Sequence, residues 1–217
     1  GILFAVDAAQ SAGVLPIDMG EMNIDFLCVA PHKGLYSPAG LGIMISNCET
    51  KLSTIIEGGT GTFSSSLEQP ADMPERFESG TINTPGIMAC AAGIDFVRNR
   101  TISRIHSYEM ELIQRLYVEL GNIEEVKLYT DYPTVNGSVA VLSFNIDGIP
   151  SETAAEYLSE AGFAVRAGLH CAPIAHKYMG TDEFGAVRVS VSIYNNMSEI
   201  MQFARKTEEI SVNIKAI

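Results

Sequence analysis

Short apolar runs bounded by turn residues open the chain. Ile2 to Val6 is continuously apolar, the pattern of a strand buried on both faces of a parallel sheet. A second run, Phe26 to Ala30, ends at Pro31-His32-Lys33, and a third, Leu41 to Ile45, follows the turn-rich Ser37-Pro38-Ala39-Gly40. Between Glu57 and Pro74 the sequence is rich in Gly, Ser and Thr, too polar for a core element, which predicts a long loop. After Pro85 the period changes. Apolar residues at Ile94, Val97, Ile105, Leu112, Leu116 and Leu120 predict one or two helices from Ile87 to about Glu119, stopped by Gly121. Ser138 to Phe144 alternates like a strand packed on one face, and Pro150-Ser151 leads into a helical stretch, Glu152 to Glu160, closed by Gly162. Phe163 to Arg166 and Ala186 to Ser192 read as further strands, and Ser198 as the cap of a last helix from Glu199 onward. The pattern is an α/β chain: a parallel α/β part over residues 1–96, then a small α+β domain over residues 97–217, with the boundary near Phe96.

Composition narrows the function classes. With 217 residues, 47% hydrophobic and 18% charged, the chain is long and apolar enough for a real core and is not a disordered tail. A formal net charge of −12 argues against binding to a phosphate backbone, so no nucleic-acid partner is expected. No apolar run approaches the roughly 20 residues of a membrane helix, and no membrane partner is expected. The four cysteines, Cys28, Cys48, Cys90 and Cys171, lack CxxC spacing. They predict a reduced, cytoplasmic chain without disulfides or a metal site, with Cys28 and Cys90 buried. The abrupt opening, Gly1-Ile-Leu-Phe-Ala-Val-Asp7, reads as a strand already inside a fold, and suggests a piece of a longer chain.

Candidate chemistry sits where strands end. In open parallel sheets ligands bind outside the carboxyl ends of the strands. Asp7 closes the first strand, and His32-Lys33 close the second. Taken singly, an Asp at a strand end is usually a turn or cap residue, and a Lys a solvated charge. Together on one rim they suit pyridoxal phosphate, which needs a lysine amine for its Schiff base and an acid beside the pyridine nitrogen. Gln10, three residues beyond Asp7, is placed for the ring hydroxyl.

At this point the chain resembles a known family. Val6-Asp-Ala-Ala-Gln-Ser-Ala-Gly13, His32-Lys-Gly-Leu-Tyr-Ser-Pro-Ala-Gly40, Arg76-Phe-Glu-Ser-Gly-Thr-Ile-Asn83, Arg166-Ala-Gly-Leu-His-Cys-Ala-Pro173 and Val187-Arg-Val-Ser-Val-Ser-Ile-Tyr-Asn195 are similar to the signatures of class V aminotransferases, in their order. The resemblance spans nearly the whole chain and points to the cysteine desulfurase branch. It implies part of the large domain of a fold-type I pyridoxal-phosphate enzyme, followed by the small C-terminal domain. It implies Lys33 as the Schiff-base lysine, Asp7 as the pyridinium partner, Gln10 at the ring hydroxyl and His32 against the phosphate or ring edge. Thr81 matches a residue that reaches the phosphate of the neighbouring subunit, which implies a homodimer. Arg188 matches the clamp for the substrate α-carboxylate, a task suited to a planar guanidinium.

Cys171 separates the branches. In desulfurases a loop cysteine takes the sulfur of L-cysteine as a persulfide, leaving L-alanine, and a sulfur-acceptor protein is a possible partner. Arg166 and His170 beside Cys171 favour a thiolate, and Gly168 and Pro173 favour a loop over a buried thiol acting as a small hydrophobe. A selenocysteine lyase would use the same residues. A true class V aminotransferase would leave Cys171 incidental, and a non-catalytic dimerisation module would use none of them. Two departures from the family stand out. Ala30 occupies a position usually held by a phosphate-binding Ser or Thr, a contact contributing about 1.5–3 kcal/mol. The section that in the family precedes the Val-Asp-Ala-Ala-Gln strand has no counterpart here. Residues 1–217 alone are therefore expected to bind the cofactor poorly, to turn over no cysteine, and to self-associate through an open sheet edge and apolar face.

Overall fold

Two small sheets organise the chain, one in each of two compact units, Gly1–Ile102 and Ser103–Ile217. The computed structural model describes residues 1–47 and 52–215, so the expectation for Cys48 lies outside the described residues. Among the described residues, no helix is long and apolar enough to cross a membrane.

In the first unit, β1 (Ala5–Asp7) pairs in parallel with β2 (Phe26–Val29), Asp7 standing opposite Cys28. β3 (Ile43–Ser46) then runs antiparallel to β2, so the sheet is mixed where a parallel one was expected. The reason is the connection: β2 and β3 are joined by turns, without the crossover helix that a parallel return needs. β1 is also not the doubly buried strand its composition suggested. Among the described residues it pairs only with β2, and Ile2 is 98% exposed. Cys28, expected inside, is exposed, whereas Phe26, Leu27 and Val29 around it are buried. Ala8, Ile24, Leu27 and Val29 form the small core, with Leu35 and Ile43 packed on it.

The long loop appears as expected, interrupted only by a 3-10 turn at Glu75–Phe77, and leads to helix α1 (Thr84–Arg100). Asn83 caps α1 by accepting a hydrogen bond from the Gly86 amide at 3.1 Å, and Pro85 occupies the first turn, where a missing N–H does no harm. Its buried residues, Gly86, Cys90, Gly93 and Val97, form one narrow helical stripe. α1 passes Phe96 without a break.

The second unit is α+β. α2 (Ile102–Gly121) enters it, and β4 (Val126–Leu128), β5 (Val141–Ile146) and β6 (Val187–Ser190) form an antiparallel sheet with β5 central. α3 (Ser151–Glu160), α4 (Pro173–Met179) and α5 (Met197–Lys215) complete it. β5 alternates as expected, burying Leu142, Phe144 and Ile146 against Leu112, Leu116, Leu158 and Phe203. Phe203 takes the edges of Phe144 and Phe163, with ring centroids 6.2 and 5.3 Å apart. The strand expected over Phe163 to Arg166 reduces to one bridge, Arg166 to Arg188, because only that residue reaches the β6 edge. The α5 cap is Asn196, not Ser198. Asn196 Oδ1 accepts from the Glu199 amide at 3.1 Å, and Glu199 Oε2 accepts from the Asn196 amide at 3.0 Å, a reciprocal pair that satisfies two donors.

Replacing Asn196 with Ala is therefore expected to lower stability by about 1 kcal/mol in urea denaturation. Ser198→Ala should stay within about 0.5 kcal/mol; equal losses would mean that the cap is wrongly assigned.

Candidate functional site

Chemistry gathers in two places, one in each unit. In the first, the parallel pairing of β1 with β2 puts the ends of both strands on one rim of the sheet. After β1 the chain turns at once: Asp7 Oδ1 accepts from the Ala9 amide at 2.9 Å, and the Ser11 and Ala12 amides donate back to the Ala8 carbonyl. Gln10 stands exposed within this turn. After β2, Pro31 is buried and a second turn carries His32 and Lys33 outward, closed by the Lys33 amide on the Ala30 carbonyl and the Ser37 amide on the Pro31 carbonyl.

These two turns touch backbone to backbone, and two glycines make that possible. A β-carbon on Gly13 would overlap the Gly34 carbonyl, and one on Gly34 would overlap the Ala12 carbonyl and lie 2.9 Å from Val14 Cγ2. Gly13 also has φ +82°, a conformation that L side chains rarely adopt. From another side, α1 presses on the same turn at Leu35, and Tyr36 packs against Phe96 with ring centroids 5.0 Å apart. Lys33, next to Gly34, is thus carried by a turn clamped against the one that follows Asp7.

Asp7, Gln10, His32 and Lys33 are therefore brought to one rim. Among the described residues Asp7 and Lys33 form no ion pair, with each other or elsewhere. Asp7 spends one oxygen on Ala9, and its other remains for an external donor. An acid and an amine held on one rim but apart fit a bridging ligand with a basic ring nitrogen at one end and a carbonyl at the other, which is the shape of pyridoxal phosphate. Thr81 lies elsewhere in the unit, exposed between the long loop and α1, near the Asn83 amide that bonds the Gly40 carbonyl at 3.2 Å. Among the described residues it makes no hydrogen bond to the rim turns.

The second cluster joins Arg166, His170, Cys171 and Arg188. Arg188 lies on β6, and the Arg166 and Arg188 backbones exchange hydrogen bonds of 2.7 and 3.2 Å, which sets the two guanidinium-bearing residues side by side. Arg188 Nε is buried without a partner among the described residues. Neither arginine is paired with a carboxylate there, so the cluster presents unneutralised positive charge. Cys171 is exposed, and Arg166 Nη2 donates toward its sulfur at 3.9 Å. His170 and Cys171 both adopt left-handed backbone, with φ of 51° and 61°, an arrangement that costs non-glycine residues energy and turns the loop sharply. The His170 ring bonds the Arg166 carbonyl at 3.2 Å through Nε2. Burial first, and then the nearby Arg188, His176 and Arg166, hold the His170 pKa below its ordinary 6.5, although the Arg166 carbonyl opposes this. Sequence reasoning missed Gly13, Gly34 and the His176 ring beneath this loop. The glycines were visible inside the two motifs, but nothing local says that they face one another.

The family model for class-V aminotransferases matches residues 1–203. A protein of Methanothermobacter thermautotrophicus named "Probable cysteine desulfurase" is 34% identical over 97% of this chain and 54% of its own length. A protein of the same name from Pyrococcus abyssi is 32% identical over 100% of this chain and 54% of its own. The solved structure of a cysteine desulfurase from Thermococcus onnurineus NA1 superposes with a TM-score of 0.81 at 32% identity, covering 97% of this chain and 53% of that one. The chain thus spans about half the length of the relatives it matches.

Gly34→Ala is expected to destabilise the first unit by about 1–3 kcal/mol through overpacking, measured by chemical denaturation; an unchanged midpoint would mean that the turns are not interlocked. For His170, the lowered folded-state value means that the unfolded chain binds the proton more readily. The stability linked to it is full above about pH 6.5 and is lost as pH falls through the lower folded value. Denaturation from pH 5 to 8 should show this slope, and His170→Asn should remove it.

Proposed function

The chain belongs to the class V aminotransferase family, and from that membership we propose that its residues serve pyridoxal-phosphate-dependent removal of sulfur from L-cysteine. The products are L-alanine and a persulfide on Cys171. The observation that carries this reading is the state of Cys171: exposed on a sharply turned loop, with an arginine directed at its sulfur and a second, unneutralised arginine beside it.

The cofactor, when bound, supplies a protonated ring that withdraws electrons from the carbon being changed. In this reading Asp7 holds the proton at the ring nitrogen through its free oxygen. Gln10 donates a hydrogen bond to the ring hydroxyl, and His32 lies against the ring or phosphate. Lys33 would hold the cofactor through its amine and, as a base, would move protons at the substrate carbon. Arg188 binds the substrate carboxylate, and its orphaned Nε marks a donor built for an oxygen acceptor. Cys171, as thiolate, attacks the substrate sulfur: an S–S bond forms, the carbon–sulfur bond breaks, and the electron pair leaves with the carbon, which takes a proton to become the methyl group of alanine. Arg166 steadies the negative charge on sulfur in both thiolate and persulfide. The protein acts in the cytoplasm as a homodimer in which Thr81 completes the partner's phosphate site, and it passes sulfur to an acceptor protein.

In the holoenzyme, Cys171→Ser is expected to keep the cofactor absorbance band and to lose both persulfide and alanine formation. A variant that still consumes cysteine at the unmodified enzyme's rate, giving the 2-oxo acid with its carbon–sulfur bond intact, would identify a transaminase-type enzyme in which the thiol is incidental. Arg188→Ala should raise KM for cysteine by about 10- to 100-fold, the scale of hydrogen bonds to a charged group, and Lys33→Ala should abolish the band.

A further inference from the structure

The loop that carries Cys171 rests on a side chain that the reaction above does not use. His176 lies on α4 and is 8% exposed, buried directly behind the loop. Its Nδ1 is 2.8 Å from Thr181 Oγ1, and Thr181, 5% exposed, also turns its amide to the His176 carbonyl at 2.8 Å and its hydroxyl to the same carbonyl at 3.4 Å. Three contacts between two buried residues, across the left-handed Gly180 that ends the helix, leave the imidazole little freedom to rotate. The other side of that ring faces His170, with centroids 5.4 Å apart at a tilt of 43°.

The loop needs such a support. His170 and Cys171 are consecutive non-glycine residues in left-handed conformation, a state that persists only where surroundings over-determine it. Within the loop the Ala172 amide bonds the Leu169 carbonyl at 2.8 Å, the His170 ring bonds the Arg166 carbonyl at 3.2 Å and Arg166 Nη2 donates toward Cys171 Sγ at 3.9 Å, while Ser151 Oγ and the Ala186 amide hold Gly168 from outside. The His176 ring adds a contact from outside the loop, and Thr181 fixes where that ring stands.

We propose that His176, clamped by Thr181, is a positioning residue that holds His170 against Arg166 and thereby sets the backbone that presents the Cys171 thiol. The assignment rests on the reading of Cys171 as sulfur acceptor, but its geometry can be tested independently. His170 lies near the guanidinium groups of Arg166 and Arg188 and against the His176 ring, and it is partly withdrawn from water. Releasing His176 lets water reach His170.

The test uses Thr181→Val, which removes the hydroxyl at nearly constant volume, and Thr181→Ser, which keeps it. In the 217-residue chain, an NMR titration should show the His170 midpoint rising toward its ordinary value in the valine variant and returning in the serine variant. In the holoenzyme, the valine variant should transfer sulfur to Cys171 about 3- to 10-fold more slowly, the scale of one neutral hydrogen bond, with KM for cysteine and the cofactor band unchanged, and serine should restore the rate. The proposal is overturned if valine and serine behave alike, or if the rate, KM and cofactor band all fall together. A shifted His170 titration in a protein whose Cys171→Ser form still converts cysteine to a sulfur-retaining 2-oxo acid would sink the desulfurase reading and leave the positioning role standing.

Discussion

Most of the first cluster depends on one steric constraint: two turns, one after each parallel strand, pack so closely that neither Gly13 nor Gly34 has room for a β-carbon. Strand pairing alone puts Asp7 and the His32-Lys33 turn on the same rim. It does not hold them at a set separation, because turns after short strands are otherwise free to splay. The interlock removes that freedom, and Tyr36 against Phe96 fixes the far end of the Lys33 turn to α1. An acid and an amine thereby stand on one rim of the sheet with no ion pair between them among the described residues.

The second cluster is organised by charge instead of by contact. Two arginines share one backbone bridge, with no carboxylate paired to either among the described residues. Like charges held together raise the energy of the free protein, and a bound anion would relieve it. Burial first, and then the same field, lower the pKa of His170. The left-handed loop and the two arginines meet in one place: Arg166 is bonded to Arg188 of β6, and His176, bonded to Thr181, packs on His170.

Several parts of this picture are readable along the chain. Asp7, Gln10, His32, Lys33 and Cys171 lie in local motifs whose order points to one chemistry, and the helical period after Pro85 marks α1 and α2. An apolar pattern is not by itself evidence of cover. Ile2 to Val6 and Cys28 are hydrophobic enough to be buried, yet β1 has one neighbour and Cys28 lies exposed. Residue type reports what a position tolerates, not what is stacked upon it.

The sequence by itself determined the family and the helical stretches after Pro85, from Glu152 and from Glu199, though not α4, because these follow from local spacing and side-chain chemistry. Only the tertiary structure decided that β3 returns antiparallel, that Phe163 to Arg166 touches its sheet at a single residue, that Asn196 and not Ser198 caps α5, and that Gly13 meets Gly34 and His176 meets His170. Apart from the cap, where two neighbouring polar residues compete for the same helix end, these outcomes turn on contacts between separate segments. Such contacts are set by which backbones pack closely enough to touch, a property of the folded chain and not of any one stretch of it.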